Sequence, residues 1–285
     1  MTESGPPPPQ RSTYPGHTDE MAPPPRDEMA DYTGSGLLTG RRALVTGGDS
    51  GIGRAVAVAF AKEGADVSVA YLREHEDARH TMELVEQTGG RSLSTPGDLA
   101  DPDHCRDVVA RTTEELGGLD ILVNNAAFQQ PVGSLEELPD EQWEHTFATN
   151  VHSFFWTTKA ALPHLGEGSS IINTSSVNGL RGNPTMIDYA ASKGAILAFT
   201  YSLAQSLVDR GIRVNCVAPG PVWTPLIPAT FPPERVSGFG EQAPMGRPAQ
   251  PDEIAPSYVF LASDRMSSYY TGEVLAPLGG ETTPG

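Results

Sequence analysis

Three side chains between positions 176 and 193 have the types and the spacing of a proton-transfer site. Ser176 is followed thirteen residues later by Tyr189, and Lys193 comes four residues after the tyrosine. On a helix, residues four apart share one face, with Cβ atoms on the order of 5–6 Å apart. An ammonium group beside a phenol favours the phenolate and lowers the phenol pKa from about 10. Tyr189 is therefore a candidate general acid/base, and Ser176 could hydrogen-bond the oxygen that gains or loses the proton.

A Tyr/Lys pair alone also fits a helix with a buried tyrosine and a solvated lysine. A second motif therefore has to support the interpretation as a proton-transfer site. Gly47, Gly51 and Gly53 form a glycine-rich stretch between an apolar run and an alanine-rich segment. Glycines in such a place let backbone N–H groups approach a pyrophosphate at the N-terminus of a helix. An ordinary glycine-rich turn is the alternative, but the position after a strand and before a helix favours dinucleotide binding.

The elements that must position these motifs alternate along the chain. Short apolar runs typical of buried strands occur at 43–46, 65–72, 91–98, 119–127, 169–176, 211–220 and 272–280. Helical patterns separate them, among them one long helix over 139–165 and another over 188–210 that carries Tyr189 and Lys193. Alternation of this kind predicts an α/β fold of the Rossmann type, a doubly wound parallel sheet of about seven strands with helices on both faces. Ligands of such folds bind at the carboxyl ends of the strands.

The first 38 residues differ in composition from the rest. They are rich in Pro, Gly and polar residues, and such a segment cannot repay its ordering entropy alone. We therefore divide the chain into a Pro-rich N-terminal extension, 1–38, and a dinucleotide-binding domain, 39–285. A disordered tail is the favoured interpretation of the extension. The alternative is an extended arm packed on the body or on a neighbouring subunit, with Tyr14, Met21, Met29 and Tyr32 as anchors.

Charge and cysteine content limit the classes of partner. The net charge of −17 opposes binding to nucleic acid or to an anionic membrane. Cys105 and Cys216 lack metal-ligand spacing, so no metal site is expected, and free buried thiols are the default in a cytoplasmic protein. No signal peptide or membrane-spanning run is visible. We expect a cytoplasmic protein that acts on a small molecule.

Taken together, the motifs resemble those of the short-chain dehydrogenase/reductase family over about residues 38–285. The matching pieces are TGGDSGIG (46–53), Asp98, NNAA (124–127), Asn150, Ser176, YAASK (189–193) and PGPVWT (219–224), in the order and spacing of that family. The N-terminal extension resembles a subgroup described as aldehyde reductases or glucose/ribitol dehydrogenases. The resemblance implies hydride transfer between NAD(P)(H) and a carbonyl or alcohol substrate, that is, an aldehyde, a ketone, a sugar or a polyol.

The resemblance also implies a role for each matching residue. Tyr189 is the proton donor or acceptor, Lys193 lowers its pKa and holds the nicotinamide ribose, and Ser176 orients the substrate. Asn150 holds a water in a proton relay, although a buried structural amide is an alternative. The remaining cofactor-binding residues are Gly47, Asp49, Ser50, Gly51, Ile52, Gly53, Tyr71, Arg73, Asp98, Leu99, Asn125, Ala126, Ala127, Pro219, Gly220, Val222 and Thr224. Ser175 is an alternative to Ser176 as the residue that orients the substrate. Asp98 could instead cap a turn.

The choice between NADP(H) and NAD(H) depends on the end of the second strand. Enzymes that prefer NAD place an acid there for the ribose 2′-hydroxyl, whereas this chain has Tyr71, with Arg73 and Arg54 nearby. Arginines favour a 2′-phosphate. Asp49 and Ser50 stand where many NADP-preferring members carry a basic residue, so the preference for NADP(H) is slight.

Two other classes of function are compatible with the same observations. The chain could be a catalytically silent dinucleotide-binding regulator or scaffold, although its intact Ser/Tyr/Lys set argues against this. A lyase or epimerase of related fold is the third possibility.

The substrate pocket should be closed by residues 221–250, whose aromatic side chains are substrate contacts or lid core. Helices 139–165 and 188–210 carry apolar side chains on more than one face, which predicts a homodimer or homotetramer.

Overall fold

Seven parallel strands form the centre of the molecule. A computed structural model describes residues 7–282, so residues 1–6 of the extension and residues 283–285 lie outside the described part. The strands are β1 Arg42–Thr46, β2 Asp66–Tyr71, β3 Ser92–Pro96, β4 Ile121–Asn124, β5 Ser170–Thr174, β6 Arg213–Val217 and β7 Val274–Leu275. They are ordered β3-β2-β1-β4-β5-β6-β7. The prediction of a doubly wound, seven-stranded parallel sheet is confirmed.

The helices alternate with the strands and cover both faces of the sheet. They are α1 Gly51–Lys62, α2 His75–Glu86, α3 Pro102–Leu116, α4 Asp140–Phe147, α5 Ser153–Ala161, α6 Val177–Arg181, α7 Ile187–Leu207, α8 Leu226–Thr230, α9 Pro233–Val236, α10 Pro251–Ala262 and α11 Asp264–Ser267. Residues of α1, α2 and α10 pack on one face, and residues of α3, α5 and α7 pack on the other. This arrangement leaves the carboxyl ends of the strands open at one edge.

Two predicted elements differ from the observed ones. The single helix expected over 139–165 is divided into α4, a π-helical turn at Ala148–His152, and α5. A π-helical turn inserts an extra residue and often marks a functional site, and here it contains Asn150. The segment 221–250, expected to be a loop, contains the two short helices α8 and α9.

The N-terminal extension is ordered against the body, so the interpretation as a disordered tail is wrong for residues 7–38. We call these residues the N-terminal arm. Met21, Met29 and Leu38 are buried, with 5%, 2% and 1% of their surface exposed. Burying such side chains contributes roughly 1.5–3 kcal/mol each, which offsets the ordering entropy of a segment that has no helix longer than one turn.

Backbone contacts show the route of the arm across the open edge of the sheet. The Ser12 N–H donates to the Pro228 carbonyl at 3.0 Å, and the indole of Trp223 donates to the Pro23 carbonyl at 2.9 Å. Further along, the Met29 N–H donates to Asp252 at the start of α10. The arm therefore links the segment that contains α8 to the helices beside the glycine-rich loop. Within residues 7–282, no helix combines the length and the apolarity that a membrane crossing requires.

Candidate active site

A large cleft lies at the carboxyl ends of the strands, with a volume of about 650 Å³. This volume is in the range of small-molecule sites. Most of the residues expected at the cofactor and the substrate line it: Gly47, Asp49, Ser50, Gly51, Ile52, Gly53, Tyr71, Asp98, Leu99, Asn125, Ala126, Ala127, Ser176, Tyr189, Lys193, Pro219, Gly220, Val222 and Thr224. Arg73 and Asn150 do not line it. The structure thus brings together motifs that are up to 177 positions apart.

Tyr189 lies in the first turns of α7, with 9% of its surface exposed. Burial raises the pKa of this phenol to about 12, and a hydrogen bond with the Ser176 hydroxyl lowers it in part. The expectation that Lys193 lowers the pKa of Tyr189 is therefore not met in this structure, because desolvation of the phenolate outweighs the other contributions. Burial therefore favours the protonated form of Tyr189, which is the form that can donate a proton.

Lys193 is buried at the same end of the cleft, with 1% of its surface exposed. Its Nζ donates to the carbonyl of Thr174, the last residue of β5, at 2.8 Å. The ammonium lies 5.6 Å from the ring centroid of Tyr189 and 5.7 Å from that of Phe154. Burial lowers the pKa of Lys193 to about 8. One of its three donors is fixed by the protein, and the others remain for a ligand in the cleft.

Hydrogen bonding distinguishes Ser176, the serine expected to orient the substrate, from its neighbour Ser175. The Ser175 hydroxyl donates to the Lys193 carbonyl at 2.7 Å, so it ties β5 to α7. The Ser176 hydroxyl accepts from the Asn178 N–H at 3.1 Å and also faces Tyr189. A hydroxyl that accepts one bond keeps its own proton for donation. Ser176 is thus the serine that can contact both the phenol and a substrate oxygen.

Asn150 holds three segments together instead of lining the cleft. Its Nδ2 donates to the Phe128 carbonyl at 2.9 Å and to the Ser192 hydroxyl at 3.0 Å. Its Oδ1 accepts from the Phe128 N–H at 2.7 Å. Both amide protons are used and the side chain is fully buried, so the geometry matches the structural alternative. The side chain fixes the loop after β4 against α7, close to Tyr189.

The glycine-rich loop is closed so tightly that a side chain would not fit. A Cβ on Gly53 would lie 1.8 Å from the Gly47 carbonyl oxygen, and a Cβ on Gly51 would lie 2.9 Å from the Thr224 side chain. Gly51 also has a φ of +53°, in the left-handed region that favours glycine. These contacts leave bare backbone at the N-terminus of α1, as binding of a pyrophosphate requires. The loop therefore fits a dinucleotide.

Arg54, expected near a 2′-phosphate, is turned away from the cleft. It is 1% exposed and its guanidinium lies 2.7 Å from Asp77 and 3.3 Å from Asp27. Asp27 belongs to the N-terminal arm, and its carboxylate also accepts from the Gly51 N–H at 2.9 Å. Two carboxylates already neutralise Arg54, so it is not available to a phosphate. Its role is to dock the arm beside the glycine-rich loop.

The far end of the cleft, at the carboxyl ends of β2 and β3, has more negative charge than the sequence suggested. Arg73 is directed outward and donates to the Tyr14 carbonyl of the arm at 2.7 Å. Glu74 is 2% exposed and lines the cleft. Within residues 7–282, its Oε1 has no hydrogen-bond partner. Burial and the charge of Glu74 together raise the pKa of Asp49 to about 7.

Sequence reasoning missed Glu74 and Tyr14 as cleft residues. The search for an acid stopped at the last residue of β2, Tyr71, whereas the acid stands three residues later at the start of α2. Tyr14 lies in the arm and packs edge-on against Phe128, with 5.2 Å between ring centroids. Its position in the cleft depends on contacts between distant parts of the chain, so no local pattern could reveal it.

The aromatic residues of the segment 221–250 belong to an apolar cluster beside Tyr189. Trp223 and Phe231 are 1% and 6% exposed, and they pack with Met21 of the arm and with Met186. Phe231 also lines the cleft, whereas Trp223 does not. The segment is therefore core on one side and pocket wall on the other. Within residues 7–282, no three His, Cys, Asp or Glu side chains are grouped as metal ligands, and Cys105 and Cys216 are free and buried.

Comparison with known proteins agrees with this geometry. A family model described as enoyl-(acyl carrier protein) reductase matches residues 47–282. The chain is 48% identical to the NADPH-dependent aldehyde reductase 1 of Arabidopsis thaliana, with 95% of this chain and 96% of that protein covered. The chain belongs to the short-chain dehydrogenase/reductase family. It is 46% identical to the glucose and ribitol dehydrogenase of Daucus carota, with 98% of each covered.

Solved structures of this family share the fold. A short-chain dehydrogenase from Burkholderia cenocepacia J2315 in complex with NADP superimposes with a TM-score of 0.80 and 36% identity, covering 86% of this chain and 98% of that one. This short-chain dehydrogenase/reductase is accordingly an oxidoreductase that uses NADP(H) or NAD(H), with a lean to NADP(H). The comparisons do not support a silent regulator or scaffold.

Proposed function

We propose that the chain reduces small aldehydes to primary alcohols with NADPH, and that Tyr189 supplies the proton. The bound nicotinamide supplies the hydride to the carbonyl carbon. The balance is one aldehyde, one NADPH and one proton giving one alcohol and one NADP⁺. The reductase direction is supported by the 48% identity to the NADPH-dependent aldehyde reductase 1 of Arabidopsis thaliana, and burial, which raises the pKa of Tyr189, suits the phenol to proton donation.

The other residues act on the oxygen that becomes negative. The Ser176 hydroxyl donates to the carbonyl oxygen and orients it toward the phenol. The ammonium of Lys193 stabilises the phenolate left after proton donation, and its free donors hold ribose hydroxyls. Asn150 is a positioning residue that acts through Phe128 and Ser192. A buried site strengthens each of these interactions relative to water.

One observation carries the proposal, which is that Ser176, Tyr189 and Lys193 line one cleft with the glycine-rich loop. The test is a panel of aldehydes, ketones and sugars, with NADPH consumption followed by its absorbance. Aldehydes should give the highest kcat/KM. A panel in which only sugar oxidation proceeds, or in which no compound is turned over, would contradict the proposal.

The pH dependence follows from the pKa values of the two buried groups. Reduction requires Tyr189 protonated and Lys193 charged. As pH rises, Lys193 loses its proton first, near pH 8, and Tyr189 much later. We expect kcat/KM for reduction to be flat near pH 6–7 and to fall as pH passes through about 8. A reduction rate that increases steadily from pH 7 to 9 would show that this assignment of the two groups is wrong.

Glu74 should govern the preference between the two cofactors. Its Oε1, which has no hydrogen-bond partner among the described residues and lies 3.8 Å from the Arg73 Nε, can accept from a ribose 2′-hydroxyl, as in NADH, and its charge repels a 2′-phosphate. We expect Glu74→Gln to shift the ratio of the NADH and NADPH dissociation constants by at least about tenfold toward NADPH. Fluorescence titration of each nucleotide measures this ratio. Glu76→Gln, on the exposed side of the same helix, is the matched control and should leave the ratio unchanged.

We also propose that the protein is a homo-oligomer, a dimer or a tetramer. Phe155 on α5 and Tyr201 on α7 are 46% and 43% exposed, and a second copy of the chain could cover them. Sedimentation at micromolar concentration should show a mass of at least two chains, and a monomer alone would disprove this. A cytoplasmic location is the setting in which the free buried thiols of Cys105 and Cys216 are expected.

A further inference from the structure

An arginine without an acidic partner faces the substrate end of the cleft. Arg235 lies on α9, is half-buried and lines the cleft. The carbon of its guanidinium group lies 4.4 Å above the centroid of the Phe231 ring. Its Nη1 donates to the Thr185 hydroxyl at 3.2 Å. The remaining guanidinium donors have no recorded partner among residues 7–282.

Two arginines line the cleft, and they differ in their partners. Arg181, which lines the same cleft, pairs with Glu281. Within the described part of the chain, no carboxylate lies within ion-pair distance of Arg235. Partial burial lowers the pKa of Arg235, with no opposing charge to raise it. A half-buried cation without a counter-ion is costly, so a ligand that supplies a negative charge would stabilise it.

The position of Arg235 relative to Tyr189 defines what such a ligand must look like. Phe231, which the guanidinium covers, belongs to the same apolar cluster as Tyr189. Thr185, which Arg235 contacts, stands four residues before Tyr189. The phenol and the guanidinium both border the cleft, and Phe231 lines it as well. A substrate that spans this pocket has its carbonyl at Tyr189, a short apolar middle, and an anion at Arg235.

We propose that the substrate of this enzyme is an aldehyde that carries an anionic group, a carboxylate or a phosphate ester, and that Arg235 binds this group. The planar fork of N–H donors of an arginine matches two oxygens of either anion. The inference rests on the proposed reductase function and adds the substrate class. A purely structural role is the competing account, in which Arg235 only stacks on Phe231 and holds α9 in place.

Matched pairs of substrates separate the two accounts. Succinic semialdehyde is compared with its methyl ester, and glyceraldehyde 3-phosphate with glyceraldehyde, so that the carboxylate and phosphate sources are tested separately. In the wild-type enzyme, kcat/KM should be at least about tenfold higher for one of the two anions than for its neutral partner, through a lower KM. The pair with the larger ratio identifies the anion.

Arg235→Met keeps an apolar stem over Phe231 and removes the charge. In this variant the ratio of anionic to neutral substrate should fall to near one, while kcat/KM for the neutral substrate stays within about threefold of wild type. Arg235→Lys, which keeps a point charge, should retain part of the ratio. Arg111→Met, which removes an exposed charge on α3, is the control for net charge and should not change the ratio.

The outcomes distinguish failure of this inference from failure of the proposed function. A wild-type enzyme that reduces the ester and the acid equally well overturns the inference and leaves the reductase function standing. The same is true if Arg235→Met lowers kcat/KM for both members of a pair by the same factor, because that is the mark of a structural role. If no aldehyde is reduced with NADPH, both proposals are wrong.

Discussion

Tyr189→Phe should lower kcat for aldehyde reduction by at least about a hundredfold, the usual contribution of general acid catalysis. The phenylalanine ring keeps the contacts of Tyr189 with Met186 and Trp223 in the apolar cluster, so the fold should be unaffected. The variant loses only the hydroxyl that gives the proton. Steady-state kinetics measures the loss, and titration with NADPH should give a dissociation constant within about twofold of wild type.

Tyr258→Phe is the matched control for this substitution. Tyr258 is also a fully buried tyrosine, and its hydroxyl is bonded to the Thr174 hydroxyl at 2.7 Å. Its loss should lower the free energy of unfolding by roughly 1 kcal/mol and leave most of the turnover. Near-normal kcat in Tyr189→Phe, or an equal loss in both variants, would exclude Tyr189 as the proton donor.

Lys193→Arg should lose most of the activity although it keeps the positive charge. The ammonium is confined between the Phe154 and Tyr189 rings and donates to the Thr174 carbonyl. A planar guanidinium is larger and cannot occupy this place without displacing the phenol. We expect kcat/KM to fall at least about tenfold and NADPH to bind more weakly. Wild-type kinetics in this variant would show that the charge alone is sufficient.

The composition of the chain gives this prediction a second basis. Sixteen arginines stand against three lysines, so a site that needs only positive charge could have become arginine. Lys159 is exposed on α5, and Lys159→Arg should leave kcat/KM and NADPH binding unchanged. Lys62 is not a suitable control, because its Nζ donates to the carbonyls of Met29 and Tyr32 in the arm. Lys62→Arg therefore tests how firmly the arm is held.

Sequence reasoning found the fold and the reacting groups because both leave local patterns. Tyr189 and Lys193 needed only a helix to share a face, and the alternating elements allowed few topologies besides a parallel sheet. The break of the helix at Asn150 could not be predicted, because the hydrogen bonds of that side chain are with the Phe128 backbone and the Ser192 hydroxyl, in other segments. Propensity within one segment carries no information about such partners.

The errors in charge assignment have the same origin. Arg54 was placed near a phosphate because it follows the glycine motif, but Asp27 and Asp77 bind it from two other segments. The arm was interpreted as disordered because its composition cannot repay its entropy alone. Burial of Met21 and Met29 on surfaces that the rest of the chain provides offsets the ordering entropy of the arm. Long-range pairing decided both cases.

The arm also has a consequence for how the protein is made in the cell. Its residues are synthesised well before some of their partners, since Gln250 follows Arg26 by 224 positions and Asp252 follows Met29 by 223. These contacts of the arm cannot form until the start of α10 has been translated, and contacts of such sequence separation form slowly. An undocked segment rich in proline is poorly suited to β-aggregation. The composition that suggested disorder thus suits the arm to the interval between its synthesis and its docking.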